Sequence, residues 1–246
     1  MRRFRIVLLS LIVLAMTFPS AADVKVVQQH HQDAFSMMGQ SQPASDETYI
    51  TWIGDGKLRM DQGSTSTIVN LESEKMIIAN HDEKVYNEID LPVDLASMMP
   101  PGMGEQMMAM MNFDVTVTPS DETKKVGQWN AKRYDMTMVS PMMSMTSVLW
   151  ASDETPVDVD SYFDLYSSVV SLQPGMDSMI QEMRKIDGYI VDQNVTMTMK
   201  MMGETTIGSK ETVTAIEELD APAGTYAPPA GYERQEFDYM KMMQSR

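Results

Sequence analysis

Methionine is the residue type in this chain that most clearly could carry chemistry. The sequence has 28 methionines, more than its Phe, Trp and Tyr residues together. Thioether sulfur is a soft ligand that suits Cu(I). The same side chain is flexible and polarizable, and it lines adaptable apolar surfaces. Soft-metal binding and hydrophobic-ligand binding are therefore both open. Most methionines fall in three clusters, which are Met98, Met99, Met103, Met107, Met108, Met110 and Met111; Met136, Met138, Met142, Met143 and Met145; and Met197, Met199, Met201 and Met202.

The spacing of the methionines predicts a core or cavity lining for two of the clusters and an exposed apolar patch for the other. In the second and third clusters methionine alternates with threonine, and strand alternation puts such a pair on one face of a sheet. That pattern predicts a core or a cavity lining. The first cluster is too dense for one buried face, and exposed apolar patches usually bind something. We therefore predict a ligand site lined by Met107, Met108, Met110, Met111, Met136, Met138, Met197, Met199 and Trp150. In the alternative interpretation Met107, Met110 and Met111 bind a metal ion.

Signals for an enzyme are weak. The chain has no cysteine, no Gly-x-Ser-x-Gly, no phosphate-binding loop and no His-Glu-x-x-His. The only histidines are His30, His31 and His81, and the first two are sequence neighbours that point to opposite faces of a strand. Acidic pairs lie in turns or at strand edges, with no sign of the burial that shifts a carboxylate pKa. We expect no catalytic residue, no enzymatic activity and no cofactor.

The N-terminus has the pattern of a secretory signal peptide. Arg2, Arg3 and Arg5 precede an apolar run from residue 6 to 18, and Ser20 and Ala22 suit the −3 and −1 positions. The apolar run is shorter than the roughly 20 residues of a membrane-spanning helix. We therefore expect cleavage before Asp23 and a periplasmic or secreted protein. The mature chain is expected to be soluble, with no integral membrane segment.

The charge of the mature chain limits its partners. Three arginines leave with the signal peptide, so the formal net charge changes from −16 to −19. A nucleic-acid-binding protein must place Lys and Arg against phosphates. A simple electrostatic dock on anionic lipid also needs basic residues. We expect no nucleic-acid partner, and we attribute the negative charge to solubility.

Short alternating runs separated by polar turns predict an antiparallel meander. Asp55-Gly56, for example, is a strong tight-turn signal between two such runs. The prediction is a mainly β (α+β) fold, a strongly curved antiparallel sheet or half-open barrel of about eleven strands with a few covering helices. The runs are 24–35, 48–53, 57–61, 65–71, 75–80, 84–89, 113–118, 131–138, 145–150, 191–199 and 205–216.

Two hairpins and two helices organise the second half of the chain. The hairpins 131–150 and 191–216 each carry a Met-Thr-Met strand and are predicted to be copies of one supersecondary unit. Between them, apolar residues at helical spacing predict helices that begin near Asp158 and Met176. We divide the chain into a signal peptide, 1–22, and one β-rich domain, 23–232, with a Met-rich flap at 92–111. Residues 233–246 form a mobile C-terminal tail in this prediction.

Several strings resemble a bacterial exported family, domain-of-unknown-function family 4412. They are the residues 53–61, 75–86, 150–158 and 220–232, together with the hairpin entries at Gly127 and Gly188. The resemblance covers most of the mature chain. More loosely, the layout is similar to the periplasmic lipoprotein-carrier fold, a half-open antiparallel barrel with helices in its interior. That resemblance implies a hydrophobic cavity that binds an acyl chain or a lipidated partner.

The sequence therefore favours an exported soluble binding module for a hydrophobic ligand of lipid or acyl type, or for a lipidated protein. One alternative is a periplasmic Met-rich protein that binds Cu(I) or Ag(I). Another is a structural or interaction protein without a small ligand.

Overall fold

Alternating apolar and polar residues in short runs form the strands of one large sheet. The computed structural model describes residues 22–37, 40–94, 113–172, 176–200 and 204–238. Those ranges contain the strands β1 (Val24–Gln32), β2 (Phe35–Met37), β3 (Gln40–Gln42), β4 (Ser45–Gly54), β5 (Lys57–Gln62), β6 (Thr65–Asn70), β7 (Lys75–Asn80), β8 (Val85–Asp90), β9 (Asp114–Val126), β10 (Trp129–Val139), β11 (Met143–Ser152), β12 (Tyr189–Met199), β13 (Thr205–Glu218) and β14 (Glu233–Gln235), and the helices α1 (Val159–Val170) and α2 (Asp177–Met183).

Two meanders meet at the first strand of the chain. The twelve-stranded sheet has the order β14-β8-β7-β6-β5-β4-β1-β13-β12-β11-β10-β9. Consecutive strands β4 to β8 lie on one side of β1, and β9 to β13 lie on the other. Neighbours are antiparallel except for β14 and β8, which pair in parallel. The sheet is curved and does not close. The prediction of a mainly β fold with a curved antiparallel sheet and a few helices is confirmed.

Both helices lie on the same face of this sheet, which we call the helix-covered face. The N-terminus of α1 is capped by Asp158, whose carboxylate accepts a hydrogen bond from the Ser161 amide at 3.3 Å. The buried Leu165 of α1 belongs to one core with Leu58 and Val69. The shorter α2 is fixed to β9, since the Val117 amide donates to the Glu182 carboxylate at 2.9 Å.

The C-terminal segment crosses the opposite face, which we call the outer face. Arg59 donates a hydrogen bond to the Thr225 carbonyl at 3.1 Å. The Tyr226 hydroxyl donates to the Asp23 carboxylate at 3.2 Å. The segment then adds β14 to the edge of β8. Residues 233–238, assigned from sequence to a mobile tail, thus begin with a short strand, and 239–246 lie outside the described residues.

The other edge of the sheet is the long strand β9. Pro119 lies within this strand, and it has no backbone N–H to donate. The pairing of β9 with β10 shifts register between Lys132 and Tyr134. Three residues of β9, 120–122, stand there opposite the single residue Arg133 of β10. Such a bulge bends and twists a strand locally.

The sequence predictions of individual elements agree closely with the structure. Both hairpins form, as β10–β11 and β12–β13, and both predicted helices are present. The strands β2, β3 and β14 were not predicted, because each is only three residues long. Within the described ranges, no helix has both the length and the apolar character needed to cross a membrane. Residues 1–21 of the predicted signal peptide and most of the flap lie outside the described residues.

Gly188 permits a close approach of two backbones and gives a test of the fold. Its φ is +104°, and a Cβ added there would lie 2.3 Å from the Ser152 carbonyl carbon. Gly224 also has a positive φ, +89°, but nothing lies within 4 Å of its added Cβ. We expect Gly224→Ala to cost about 1–2 kcal/mol. Gly188→Ala should cost roughly 2 kcal/mol more, because overpacking adds to the same backbone strain. Urea denaturation of both variants measures the difference, and equal losses would contradict the close approach.

Candidate ligand-binding site

A cavity of about 170 Å³ lies between α1 and the helix-covered face of the sheet. Strands from both meanders contribute to it, as does β1 at their junction. Its lining combines aromatic rings, amides and one carboxylate with a smaller apolar part. The lining residues are Gln28, Thr51, Met60, Gln62, Val159, Tyr162, Phe163, Tyr166, Met183, Gly188, Tyr189, Ile190, Gln193 and Glu211.

Three tyrosines form the aromatic wall of the cavity. The rings of Tyr162 and Tyr166 are stacked, with centroids 5.6 Å apart and an interplanar angle of 15°. They are four residues apart in α1, so they lie one turn apart on the same helix face. Tyr189 at the start of β12 meets Tyr162 edge-on, at a centroid distance of 5.2 Å.

Glu211 is the carboxylate of the cavity, and two neighbouring strands fix its position. One carboxylate oxygen lies 3.1 Å from Nδ1 of His30 on β1. The other accepts a hydrogen bond from the Gln193 side-chain amide on β12 at 2.7 Å. The His30 ring in turn stacks on Tyr49, with centroids 4.7 Å apart. The carboxylate is therefore held in one position, with its side chain 24% exposed.

The interior environment changes the acidity of the cavity tyrosines. Burial raises the pKa of Tyr166, and the Glu211 charge raises it further. The pKa of Tyr162 is raised well above its ordinary value by burial first, and then by Tyr189 and other neighbours that include Glu211. Burial also raises the pKa of Tyr189, and the Glu211 charge adds to that effect. The negative charge of Glu211 thus acts on all three rings.

A larger depression of about 400 Å³ lies beside the start of α1, and it is polar and charged. Three of its charged residues, Arg184, Lys185 and Asp187, form ion pairs within the protein. Arg184 pairs with Asp164 at 2.5 Å, and Lys185 pairs with Glu182. Asp187 pairs with Lys132 at 3.1 Å. The cavity beneath α1 is the better candidate because it is less open to solvent and is lined by aromatic rings.

Four of the predicted methionines lie on the helix-covered face but outside the lining of this cavity, namely Met136, Met138, Met197 and Met199. Met136 and Met138 are buried in a second core beneath α2, with Met176 and Met179 packed against it. Met197 and Met199 are half-buried and lie opposite methionines of β11 in the register. Met107, Met108, Met110 and Met111 lie outside the described residues, as does the alternative metal set of Met107, Met110 and Met111.

Trp150 lies on the outer face rather than in the cavity. Strand alternation separates it from Leu149, which pairs with the cavity residue Gln193. The Lys124 ammonium lies 4.3 Å from the Trp150 ring centroid. It also forms an ion pair at 2.5 Å with the buried carboxylate of Asp192. Trp150 therefore packs beneath an ion pair of the outer face.

Asp61, Ser66 and His81 form a chain of hydrogen bonds that contains the residue types of a hydrolase triad. Nε2 of His81 lies 2.7 Å from the Ser66 hydroxyl, but the carboxylate of Asp61 accepts from Ser66, not from His81. Nδ1 of His81 meets the Tyr232 hydroxyl at 2.8 Å. Ser66 is fully buried. The chain lacks the orientation of a catalytic triad, and it attaches the C-terminal segment to the outer face.

The described residues contain no site for a metal ion bound by His, Asp or Glu. Among the described residues, no group of three or more His, Asp or Glu side chains is arranged to hold a metal ion. The alternative metal site of Met107, Met110 and Met111 stays a prediction, because these residues lie outside the described part of the chain.

The sequence analysis did not identify the tyrosines, Gln193 or Glu211 as site residues. The spacing of Tyr162 and Tyr166 placed both on the apolar face of α1, which is also the pattern of a packing helix. Nothing in the sequence brings Tyr189 or Glu211 to them, since these residues come from other elements. The pairing of β12 with β13 and of β13 with β1 determines that placement.

No family model matches the chain, and no curated protein matches it either. The family resemblance therefore stays a prediction.

Replacements of Met138 test whether the methionines beneath α2 are core residues. Met138 is 4% exposed. We expect Met138→Leu to cost less than about 1.5 kcal/mol, because it conserves volume. Met138→Ala should cost about 2–5 kcal/mol, because it leaves a cavity. Urea denaturation measures both losses, with the half-buried Met199→Ala as a control that should cost less. An alanine variant as stable as the wild type would contradict the core assignment.

Alkaline titration tests the tyrosine environment. Burial raises the pKa of Tyr49 from 10.0 to about 12. A raised pKa means that the folded chain binds more protons than the unfolded chain above pH 10, so the free energy of unfolding should fall as the pH rises from about 10 to 12. Denaturation across this range, together with tyrosinate absorbance, measures the effect. Tyr49→Phe should reduce the slope, and a stability that is flat with pH would contradict it.

Proposed function

We propose that the protein is an exported binding module that holds one end of a hydrophobic ligand, of lipid or acyl type or carried by a lipidated partner, in the cavity beneath α1. The observation that carries this proposal is the cavity itself, which is enclosed by an amphipathic helix and the sheet. Small-molecule sites are typically concave and mostly aromatic or apolar, with a few placed polar groups. The lining of this cavity has the aromatic rings and the placed polar groups of such sites, and its surface is more polar than apolar.

The size of the cavity limits how much of the ligand it can hold. Sites for drug-sized ligands have volumes of about 300–1,000 Å³. At about 170 Å³ the cavity takes one end of a longer molecule. The resemblance to the lipoprotein carriers implies the same kind of cavity, between a curved open sheet and a covering helix.

The copper or silver alternative depends on methionines outside the described residues, and it stays a prediction. A structural or interaction protein without a small ligand is the other alternative. The binding experiments below also test it, because it predicts that the wild type takes up no ligand. We favour ligand binding because it gives the aromatic cavity beneath α1 a function, whereas neither alternative does.

Filling the cavity tests the proposal. Thr51 is 3% exposed and lines the cavity, so Thr51→Phe should occupy its volume. We expect uptake of a fluorescent acyl-chain probe with an uncharged head group to weaken at least about tenfold, or about 1.4 kcal/mol. Native mass spectrometry of the wild type purified from the periplasm should show a lipid-sized adduct that the variant lacks.

Thr137→Phe is the matched control for this experiment. It adds the same ring at an exposed position of β10, on the outer face. Urea denaturation should first establish that both variants are folded. If Thr51→Phe is folded and binds the probe as tightly as the wild type, the ligand does not occupy this cavity.

A further inference from the structure

We infer that the end of the ligand held in this cavity is an organic cation, an alkylammonium group that lies against the tyrosine rings with Glu211 as its counter-charge. The inference rests on the proposed function and specifies the chemical class of the ligand. It is argued from the charge of the cavity, the arrangement of its rings and its volume.

The cavity contains a negative charge without a matching Lys or Arg. Among the described residues, the ion-pair partner of Glu211 is His30 alone. Gln193, which bonds the second carboxylate oxygen, is a neutral amide. The Glu211 side chain is 24% exposed, and a partly buried carboxylate is stabilised by a partner of opposite charge. A cationic ligand would give the Glu211 carboxylate a full opposite charge, which the surrounding Lys and Arg residues do not supply.

The aromatic wall favours the same sign of charge. The faces of aromatic rings carry negative potential and attract cations, and aromatic cages bind quaternary ammonium groups in this way. Tyr162 stacks on Tyr166 and meets Tyr189 edge-on, so the three rings present surfaces in two directions. Phe163 adds a fourth aromatic ring to the lining.

The same features disfavour an anionic end. A carboxylate or phosphate inserted here would face Glu211 and the negative faces of the rings, with no Lys or Arg in the lining to balance it. The Glu211 charge already raises the pKa of Tyr162, Tyr166 and Tyr189, in addition to their burial, which supports the view that its field extends across the cavity.

The volume suits a small head group. A cavity of about 170 Å³ equals the share of roughly six water molecules in the liquid. A trimethylammonium group fits within this volume. Two sources share that chemistry, an amphiphile whose tail extends from the cavity and a small free organic cation, and the experiment distinguishes them.

Calorimetry with probes of matched tails tests the inference on the mature wild-type chain. The probes are dodecyltrimethylammonium, dodecanoate and dodecyl maltoside below their micellar concentrations, and tetramethylammonium as a head group without a tail. We expect dodecyltrimethylammonium to bind at least about tenfold more tightly than the anionic and neutral probes. Tetramethylammonium should bind more weakly than dodecyltrimethylammonium.

Glu211→Gln keeps the shape of the side chain and removes its charge, so it should abolish the preference for the cation. Glu217→Gln, an exposed position on the same strand, is the control and should retain the preference. An equal loss in both variants would overturn the inference, since it would indicate a nonspecific effect of net charge. The wild-type comparison of probes needs no variant, so the inference remains testable if Glu211→Gln does not fold.

The outcomes separate the two proposals. If dodecanoate or dodecyl maltoside binds the wild type as tightly as dodecyltrimethylammonium, the cationic inference is overturned and the hydrophobic-ligand proposal stands. If no probe binds, both fail. If tetramethylammonium binds as tightly as dodecyltrimethylammonium, the cation inference is supported and the ligand is a small free cation, which contradicts the lipid part of the proposed function.

Discussion

The whole sheet depends on the backbone pairing of β1 with β4 on one side and β13 on the other. β1 is paired along its full length with both neighbours, and Val26 is completely buried between them. Its partner β13 is nearly 200 residues away in the chain. The entropy of closing such a loop grows only slowly with its length. The two meanders become one sheet through this strand, and the cavity spans their junction. Gln28 comes from β1, Thr51 from β4 and Glu211 from β13.

The period of two along a strand lets one sheet carry two unrelated surfaces. Asp192 and Gln193 are adjacent in β12, yet the first pairs with Lys124 on the outer face and the second bonds Glu211 on the helix-covered face. The carboxylates of Asp192 and Glu211 therefore have different partners. Asp192 is paired with an ammonium group and also accepts a hydrogen bond from Thr212 at 2.6 Å. Glu211 is fixed by an imidazole and an amide, which hold it in place without a Lys or Arg charge.

Local patterns were sufficient to predict most of the architecture. The turn at Asp55-Gly56, the alternation in the Met-Thr-Met strands and the helix start near Asp158 are properties of short segments, and each forms as expected. The candidate site was not predictable in the same way. Tyr162, Tyr189 and Glu211 lie in three separate elements, and their proximity follows from strand order and register. The methionines were conspicuous in the sequence because of their number, but at positions 136 and 138 they pack as ordinary core residues.

Among the described residues, β9 has no strand on its outer side, and the sequence of β9 makes that edge unsuited to edge-to-edge association. A regular, flat edge strand offers a row of free donors and acceptors to another chain. In β9 the row is interrupted by Pro119 and by the bulge that follows it, and the adjoining residues include Asp121, Glu122 and Lys124. The other edge strand is β14, which covers β8 and is only three residues long. The sheet can thus remain open, as a cavity reached from outside requires, without its edges serving as templates for aggregation.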